Sequence, residues 1–351
     1  MNRDLISVIV LAYNTEKYIK KCLDSIIKQT YTNTQIIVML DGSLDKTKSI
    51  VKRMAKKDER ILIVESENRG TCRSRIEGCK LAKGRYVTYV DGDDYIEKNM
   101  LEVMYKKLKE YNVDIVHCQY KEYEQGKISI PKNILNRNVC MDLDHFEPQF
   151  FDLLYTTDHC NQIGRQLIKR KLLNKITKID KNLMYSEDLL CNLYMYKEMK
   201  SIVFIPDELY IYNKDSMNIK NNNDYDFLLT KLDNVIDVYY ELYKSIMAFN
   251  MKDRKYYKKM ASIKFICNIL ALLNILAKHC NYKKFKIVVE NIMTTKEVKE
   301  VLKYLENNPI NDELKNLNNT LNCIYIMLNK NKIKTLYYYN KYKKIVKNKT
   351  N

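Results

Sequence analysis

From residue 6 to residue 124, short unbroken apolar runs alternate with stretches whose apolar residues recur at helical spacing. ISVIVLA (6–12) has the β-branched, uninterrupted character of a strand buried on both faces. The period then changes. Ile19, Cys22, Leu23, Ile26 and Ile27 fall on one face of a helix, with Thr15 as its expected N-cap. TQIIVMLDGS (34–43) predicts a second strand closed by an Asp-Gly turn, DKTKSIVKRMAKKD (45–58) an amphipathic helix, and ILIVES (61–66) a third strand. Residues 68–84 read as a loop and a helix stopped by Gly84, RYVTYVDGDD as strand four, 100–112 as helix and 114–124 as strand. Strand–helix alternation with short links specifies an α/β fold: a Rossmann-like, mostly parallel sheet flanked by helices.

The pattern weakens from about 125 to 160, where Gly126, Pro131 and Pro148 mark loops. Residues 166–175 read as a strand or short helix. A helix starts near 187, after Ser186, and 200–215 reads as a strand pair or a strand and turn. Residues 216–223 read as a linker. The remainder, 224–351, has no Gly and one Pro, Pro309. It predicts helices over 224–248, 252–279, 282–292, 295–306 and about 311–328, then a basic, tyrosine-rich tail. The expected division is therefore an α/β domain over 1–215 and an all-helical C-terminal region over 224–351.

Ligands on such sheets bind outside the carboxyl ends of the strands. Tyr13-Asn14, Asp41-Gly42 and Asp91-Gly92-Asp93-Asp94 stand at three of those ends. Three crowded carboxylates raise one another's pKa unless something cationic meets them. Hard oxygen ligands suit Mg²⁺ or Mn²⁺, which in turn holds a diphosphate. There is no Walker A loop, and no G-x-G-x-x-G follows the first strand, so metal rather than a Gly-rich loop is expected to grip the diphosphate. A solvated turn is the plainer reading of the same acids. The convergence of three strand ends favours a site.

Composition adds less. The 351 residues carry 61 basic and 43 acidic side chains, a formal charge of +18. That balance suits a polyanionic acceptor, an anionic membrane surface or nucleic acid. Richness in Lys, Asn, Ile and Tyr produces it equally well, so the charge alone assigns nothing. The ten cysteines form no C-x-x-C pair and no zinc spacing, and read as buried thiols in a reducing compartment. The N-terminus lacks a signal peptide's cleavage pattern. The apolar run 263–277 contains Lys264, Asn268 and Asn274 and is too short to span a bilayer. The chain is expected to be cytoplasmic, with the inner face of the membrane as a peripheral docking place.

SVIVLAYN, the DGS turn, the series Gly70, Arg75, Gly78, Ala82, Gly84 and Tyr86, and VDGDD together resemble a bacterial family 2 glycosyltransferase with a GT-A fold. The resemblance covers residues about 5–215 and includes the YSED stretch and IPDELYIYNKDSMN. It implies metal-dependent, inverting transfer of a sugar from a nucleotide sugar, with a UDP-sugar favoured. The acceptor would be a hydroxyl of a cell-surface glycan, a lipid-linked precursor or a protein. By resemblance, Tyr13 stacks near the base, Asp41 hydrogen-bonds it and Arg75 lies near the nucleotide. Asp91 and Asp93 match the D-x-D acids that hold ribose and a Mn²⁺ or Mg²⁺ ion, and Asp94 shares the metal. Asp188 matches the catalytic base. A carboxylate there takes the acceptor hydroxyl's proton as it attacks, and a single displacement inverts the anomeric centre. Leu11, Leu40, Ile76 and Arg165-Gln166 depart from the family's usual residues.

Each residue also has a plainer reading. Tyr13 could cap the sheet core, Arg75 could lie on a solvated helix face, and Glu187-Asp188 could be first-turn acids favoured by the helix dipole. A lone His159 is more often structural. The alternatives to an enzyme are a silent GT-A scaffold and a nucleic-acid-binding protein using the YYYNKYKK tail; no nucleic acid is expected. A nucleotidyltransferase shares the rim but lacks a phosphate-binding loop here. Residues 216–351 are candidates for acceptor binding, self-association as a homo-oligomer, or membrane docking.

Overall fold

The computed structural model describes residues 3–131, 138–142, 148–179, 183, 185–216, 224–308, 333, 334 and 337. The expected helix near 311–328, most of the linker and most of the basic tail lie outside the described residues. The chain divides into two compact units, Met1–Leu154 with Asp158–Asn221, and Tyr155–Thr157 with Asn222–Asn351.

In the first unit, the strands are β1 (Ile6–Ala12), β2 (Thr34–Asp41), β3 (Ile61–Ser66), β4 (Tyr86–Asp91), β5 (Tyr95–Ile96), β6 (Ile115–Glu124), β7 (Lys127–Ser129), β8 (Val139–Asp142), β9 (Gln166–Lys169) and β10 (Ser201–Asn213). Among the described residues they form one sheet in the order β3-β2-β1-β4-β9-β6-β10-β5, with β7 on β6 and β8 on β10. The strands β3, β2, β1 and β4 are parallel. All seven residues of β1 are buried, as its unbroken apolar run requires.

Helices α1 (Ile19–Ile27), α2 (Thr47–Ala55), α3 (Thr71–Leu81), α4 (Met100–Tyr111), α5 (Pro148–Tyr155), α6 (Arg170–Leu173) and α7 (Glu187–Tyr196) connect the strands or follow them. The α1 stripe Ile19, Cys22, Leu23 and Ile26 packs on Ile6, Val8 and Val10 in one core cluster. Each of the Ile, Leu and Val side chains contributes about 1.5–3 kcal/mol through burial. Thr15 starts α1 differently from the expectation. Its carbonyl accepts from the Tyr18 and Ile19 amides, at 2.8 Å each, and its hydroxyl caps nothing.

Two departures fix where the functional rim ends. First, β9 runs antiparallel to both β4 and β6. The strand β6 is therefore parallel to β4, and β10, parallel to β6, ends at the same rim. Second, 200–215 is a single thirteen-residue strand rather than a pair. Pro206-Asp207 resembles a turn in sequence, but the register shifts between Phe204 and Tyr210 absorb it as a bulge.

The second unit is helical: Tyr225–Ser245, Arg254–His279, Tyr282–Thr294 and Lys296–Asn307. Asp224 and Asn281 cap two of these, accepting from the amides of Asp226 and Lys284. The helix Arg254–His279 has the length and apolarity to cross a bilayer, longer than the 15-residue apolar run alone suggested. It is also 72% buried over its apolar window, as the central helix of the unit.

Gly84 ties the start of β4 to β1. A Cβ there would stand 2.6 Å from the Ser7 amide nitrogen and 2.7 Å from the Tyr86 carbonyl, both backbone atoms that cannot swing away. Gly84→Ala is expected to destabilise the first unit by about 1–3 kcal/mol. Urea denaturation followed by circular dichroism measures this as a lower midpoint.

Candidate functional site

Strand register assembles the site. Leu11 pairs with Asp91 and Ala12 with Leu40, so Tyr13, Asp41 and Asp91 all emerge at the same rim of neighbouring strands. Tyr13 is 40% exposed at the end of β1. The loop after it is zipped to the loop after β2. The Asn14 amide donates to Ser43 Oγ (3.1 Å), the Leu44 amide to Asn14 Oδ1 (2.9 Å), the Thr15 amide to Thr47 Oγ1 (2.8 Å) and the Glu16 amide to Asp45 Oδ2 (3.0 Å). Asn14 reaches this arrangement with φ +51°, a left-handed conformation that Asn tolerates better than most residues.

Asp41 is buried, and both its oxygens are engaged. It accepts from Ser66 Oγ (3.2 Å), the Arg69 amide (2.8 Å) and the Gly70 amide (2.9 Å). In this state Asp41 fastens the 66–70 loop that leads into α3.

Arg75 is the centre of the site. It is 3% exposed, far from the solvated helix face of the plainer reading. Its Nη2 lies 2.7 Å from Asp188 Oδ1, 3.2 Å from Asp91 Oδ1 and 3.7 Å from Glu187 Oε1. The guanidinium also stands 5.5 Å from the centre of the Tyr89 ring. Gly78, one turn further along α3, explains the approach. A Cβ at 78 would stand 2.6 Å from Ile9 Cγ2, so the helix sits directly on β1 and its arginine reaches the strand ends.

One cation thus faces three carboxylates. Burial works against the charge of Arg75, but Asp188, Asp91 and Glu187 outweigh it and hold the guanidinium firmly protonated. Burial pushes the Asp188 carboxyl up to about 7, with Arg75 opposing and the negative charges of Glu187 and Asp91 reinforcing. Glu187 is raised for the same first reason, burial, again against Arg75. A group with that pKa, 21% exposed at its side chain, is suited to accept a proton near neutral pH. The Ile163 amide donates to Asp188 Oδ2 at 3.3 Å.

The three acids of the Asp-rich turn face different ways. Asp91 points to Arg75. Asp93 borders a cavity of about 380 Å³, together with Asn14, Lys17, Leu44 and Ser216. Asp94 is buried, and its two oxygens accept from the Tyr210 hydroxyl (2.7 Å) and the Asn213 amide (2.9 Å). Burial raises its pKa well above the usual carboxylate range, and the charges of Asp93 and Asp91 add to that. Gly92 permits the turn. Its amide donates to the Leu11 carbonyl at 2.7 Å, and a Cβ would meet that same oxygen at 2.7 Å.

Among the described residues no three His, Cys, Asp or Glu side chains form a ready-made metal cage. With Asp94 engaged by Tyr210 and Asn213, Asp91 and Asp93 are the acids of the turn that could meet a divalent cation, and one or two carboxylates plus substrate phosphates are what Mg²⁺ ordinarily takes. Tyr210 and Asn213 escaped the sequence reading because the bulge sets which strand residues reach the turn. His159 is structural: it stacks on His117 at 5.1 Å and bonds Gln119 at 3.2 Å.

The sequence model of glycosyl transferase family 2 matches residues 7–177. That span includes Tyr13, Asp41, Arg75 and the Asp-rich turn, and stops before Asp188. The glycosyltransferase GlyG of Streptococcus pneumoniae is 31% identical over 221 residues, which is 62% of this chain and 73% of GlyG. The glycosyltransferase GlyA of the same organism is 35% identical over 214 residues, 60% of this chain but only 30% of GlyA's own length. Residues 1–349 of Staphylococcus aureus TarS, solved in complex with UDP, superpose with a TM-score of 0.66, at 18% identity, over 97% of this chain and 91% of that one. At that identity the likeness is one of fold: a mostly parallel sheet flanked by helices.

Replacing Arg75 removes the cation that holds the acid cluster together. Arg75→Gln is expected to cost about 3–5 kcal/mol at pH 8. The loss shrinks at pH 5, where Asp188, half-protonated at about 7, is neutral and no longer repels its neighbours. Denaturation of both proteins at the two pH values measures the difference.

Proposed function

This chain belongs to glycosyl transferase family 2, and from that premise we propose that it moves a sugar from a UDP-sugar onto an acceptor hydroxyl with inversion. The observation that carries the reading is the shared guanidinium of Arg75, within 3.2 Å of Asp91 on the donor side and 2.7 Å of Asp188. It ties the acid of the nucleotide rim and the candidate base to one anchor.

In this reading Tyr13 offers its exposed face to the base of the nucleotide. Asp41 shapes the 66–70 loop beside it. Asp91 and Asp93 hold ribose and a Mn²⁺ or Mg²⁺ ion, which when bound neutralises charge developing on the departing diphosphate. Asp188 accepts the proton of the acceptor hydroxyl as the oxygen attacks the anomeric carbon. Arg75 keeps that carboxylate oriented and prevents it from turning toward Asp91. Glu187, buried behind Arg75, adds negative charge that keeps the base from becoming too weak. The acceptor we propose is a cell-surface glycan or lipid-linked precursor reached from the cytoplasmic side, in keeping with the +18 charge.

Thermal denaturation with UDP, GDP, CMP and dTDP, each with and without Mn²⁺, tests the donor. Stabilisation by UDP only with metal is the expected result; no shift with any nucleotide removes the reading. Asp188→Asn is expected to lower turnover by about 10²–10⁴-fold while leaving UDP binding intact. The base works only when ionised, so kcat/KM should rise with pH through about 7 and level off above it. A profile that is flat from pH 5.5 to 8 excludes Asp188 as the base.

A further inference from the structure

The Tyr210 hydroxyl lies between two parts of the site that are remote in sequence. It donates to Asp94 Oδ2 at 2.7 Å and accepts from the Asp91 amide at 3.3 Å. The same ring lies against Gly164, where a Cβ would stand 3.1 Å from Tyr210 Cε2 and 3.2 Å from the hydroxyl oxygen. Gly164 directly follows Ile163, whose amide donates to Asp188. Nearby, Asn213 reinforces the hold: its side-chain amide donates to the Asp93 carbonyl at 2.9 Å and its backbone amide to Asp94 Oδ1 at 2.9 Å. One side chain of β10 therefore touches the Asp-rich turn with its oxygen and the 163–164 loop with its ring.

We infer that Tyr210 is a positioning residue that sets the Asp-rich turn and the loop bonded to Asp188 in one fixed relation. Its contacts named above are with the protein itself. Its hydroxyl fixes the directions of Asp91 and Asp94, and its ring sets how far the 163–164 loop stands from them. The inference rests on the proposed function for its catalytic meaning, and on contacts within the protein for its structural content.

The test uses the full chain and two variants. Tyr210→Phe removes the hydroxyl and keeps the ring. Gly164→Ala keeps the hydroxyl and displaces the ring. Amide hydrogen exchange, read by mass spectrometry, follows peptides covering 86–96 and 158–166. Exchange in both is expected to rise about tenfold in each variant, through the lost hydrogen bond in Tyr210→Phe and the displaced ring in Gly164→Ala. Mn²⁺ alone, titrated by electron paramagnetic resonance, should bind about 10–100-fold more weakly to Tyr210→Phe, the usual effect of removing an outer-shell partner. Exchange that rises in only one of the two peptides, or in neither, overturns the inference. So does unchanged Mn²⁺ affinity in Tyr210→Phe when the unaltered chain binds Mn²⁺. If the unaltered chain shows no Mn²⁺-dependent UDP binding, the functional reading fails by itself, and the exchange result still decides the role of Tyr210.

Discussion

One buried guanidinium facing three carboxylates constrains everything around it. A charge as deep as Arg75 is costly unless paired. Here its partners outnumber it: burial raises the proton affinity of Asp188 and Glu187, Arg75 opposes that, and the excess negative charge of the cluster reinforces it. The acids are not equivalent. Asp91 comes from the sheet, Glu187 and Asp188 from the first turn of α7, and Arg75 from α3. The arginine thus fixes the relation between a strand end and two helices.

The rest of the rim is organised around that anchor. Close contact at Gly78 lets α3 sit directly on the sheet. Asp41 holds the loop that leads into α3. The antiparallel β9 allows β6 and β10 to end at the same rim as β4, which brings Asn213 to the Asp-rich turn. Asp41 and Asn213 each bond a partner that lies on a different element.

Much of this was legible in the sequence. Strands β1 to β4 were, because strands buried on both faces read as continuous apolar runs. The rim acids were, because strand ends can be counted. Arg75 was named, but its burial was not legible. The helix α3 is buried on several sides, and its inward residues include Ser74, Arg75 and Gly78 beside Cys72, Ile76 and Cys79, so no apolar stripe reveals its orientation. Sequence proximity groups Asp94 with its neighbouring acids and cannot tell which carboxylate turns inward to Tyr210 and Asn213. Tyr210 and Asn213 were invisible for a register reason. The bulge around Pro206 decides which residues of β10 meet the turn, and pattern alone reads Pro206-Asp207 as the end of a strand.

The strand β10 also bears on the order in which the chain folds. The bonds from Tyr210 and Asn213 to Asp94 span 116 and 119 residues of sequence. Contacts that distant form late, because long loops must close before they are rewarded. During synthesis, β1 to β4 emerge and can pair well before β10 exists. Until then the acidic turn lacks its buttress, and its crowded carboxylates face water. The final arrangement of the Asp-rich turn is therefore one that the nascent chain acquires only after residue 213 has left the ribosome.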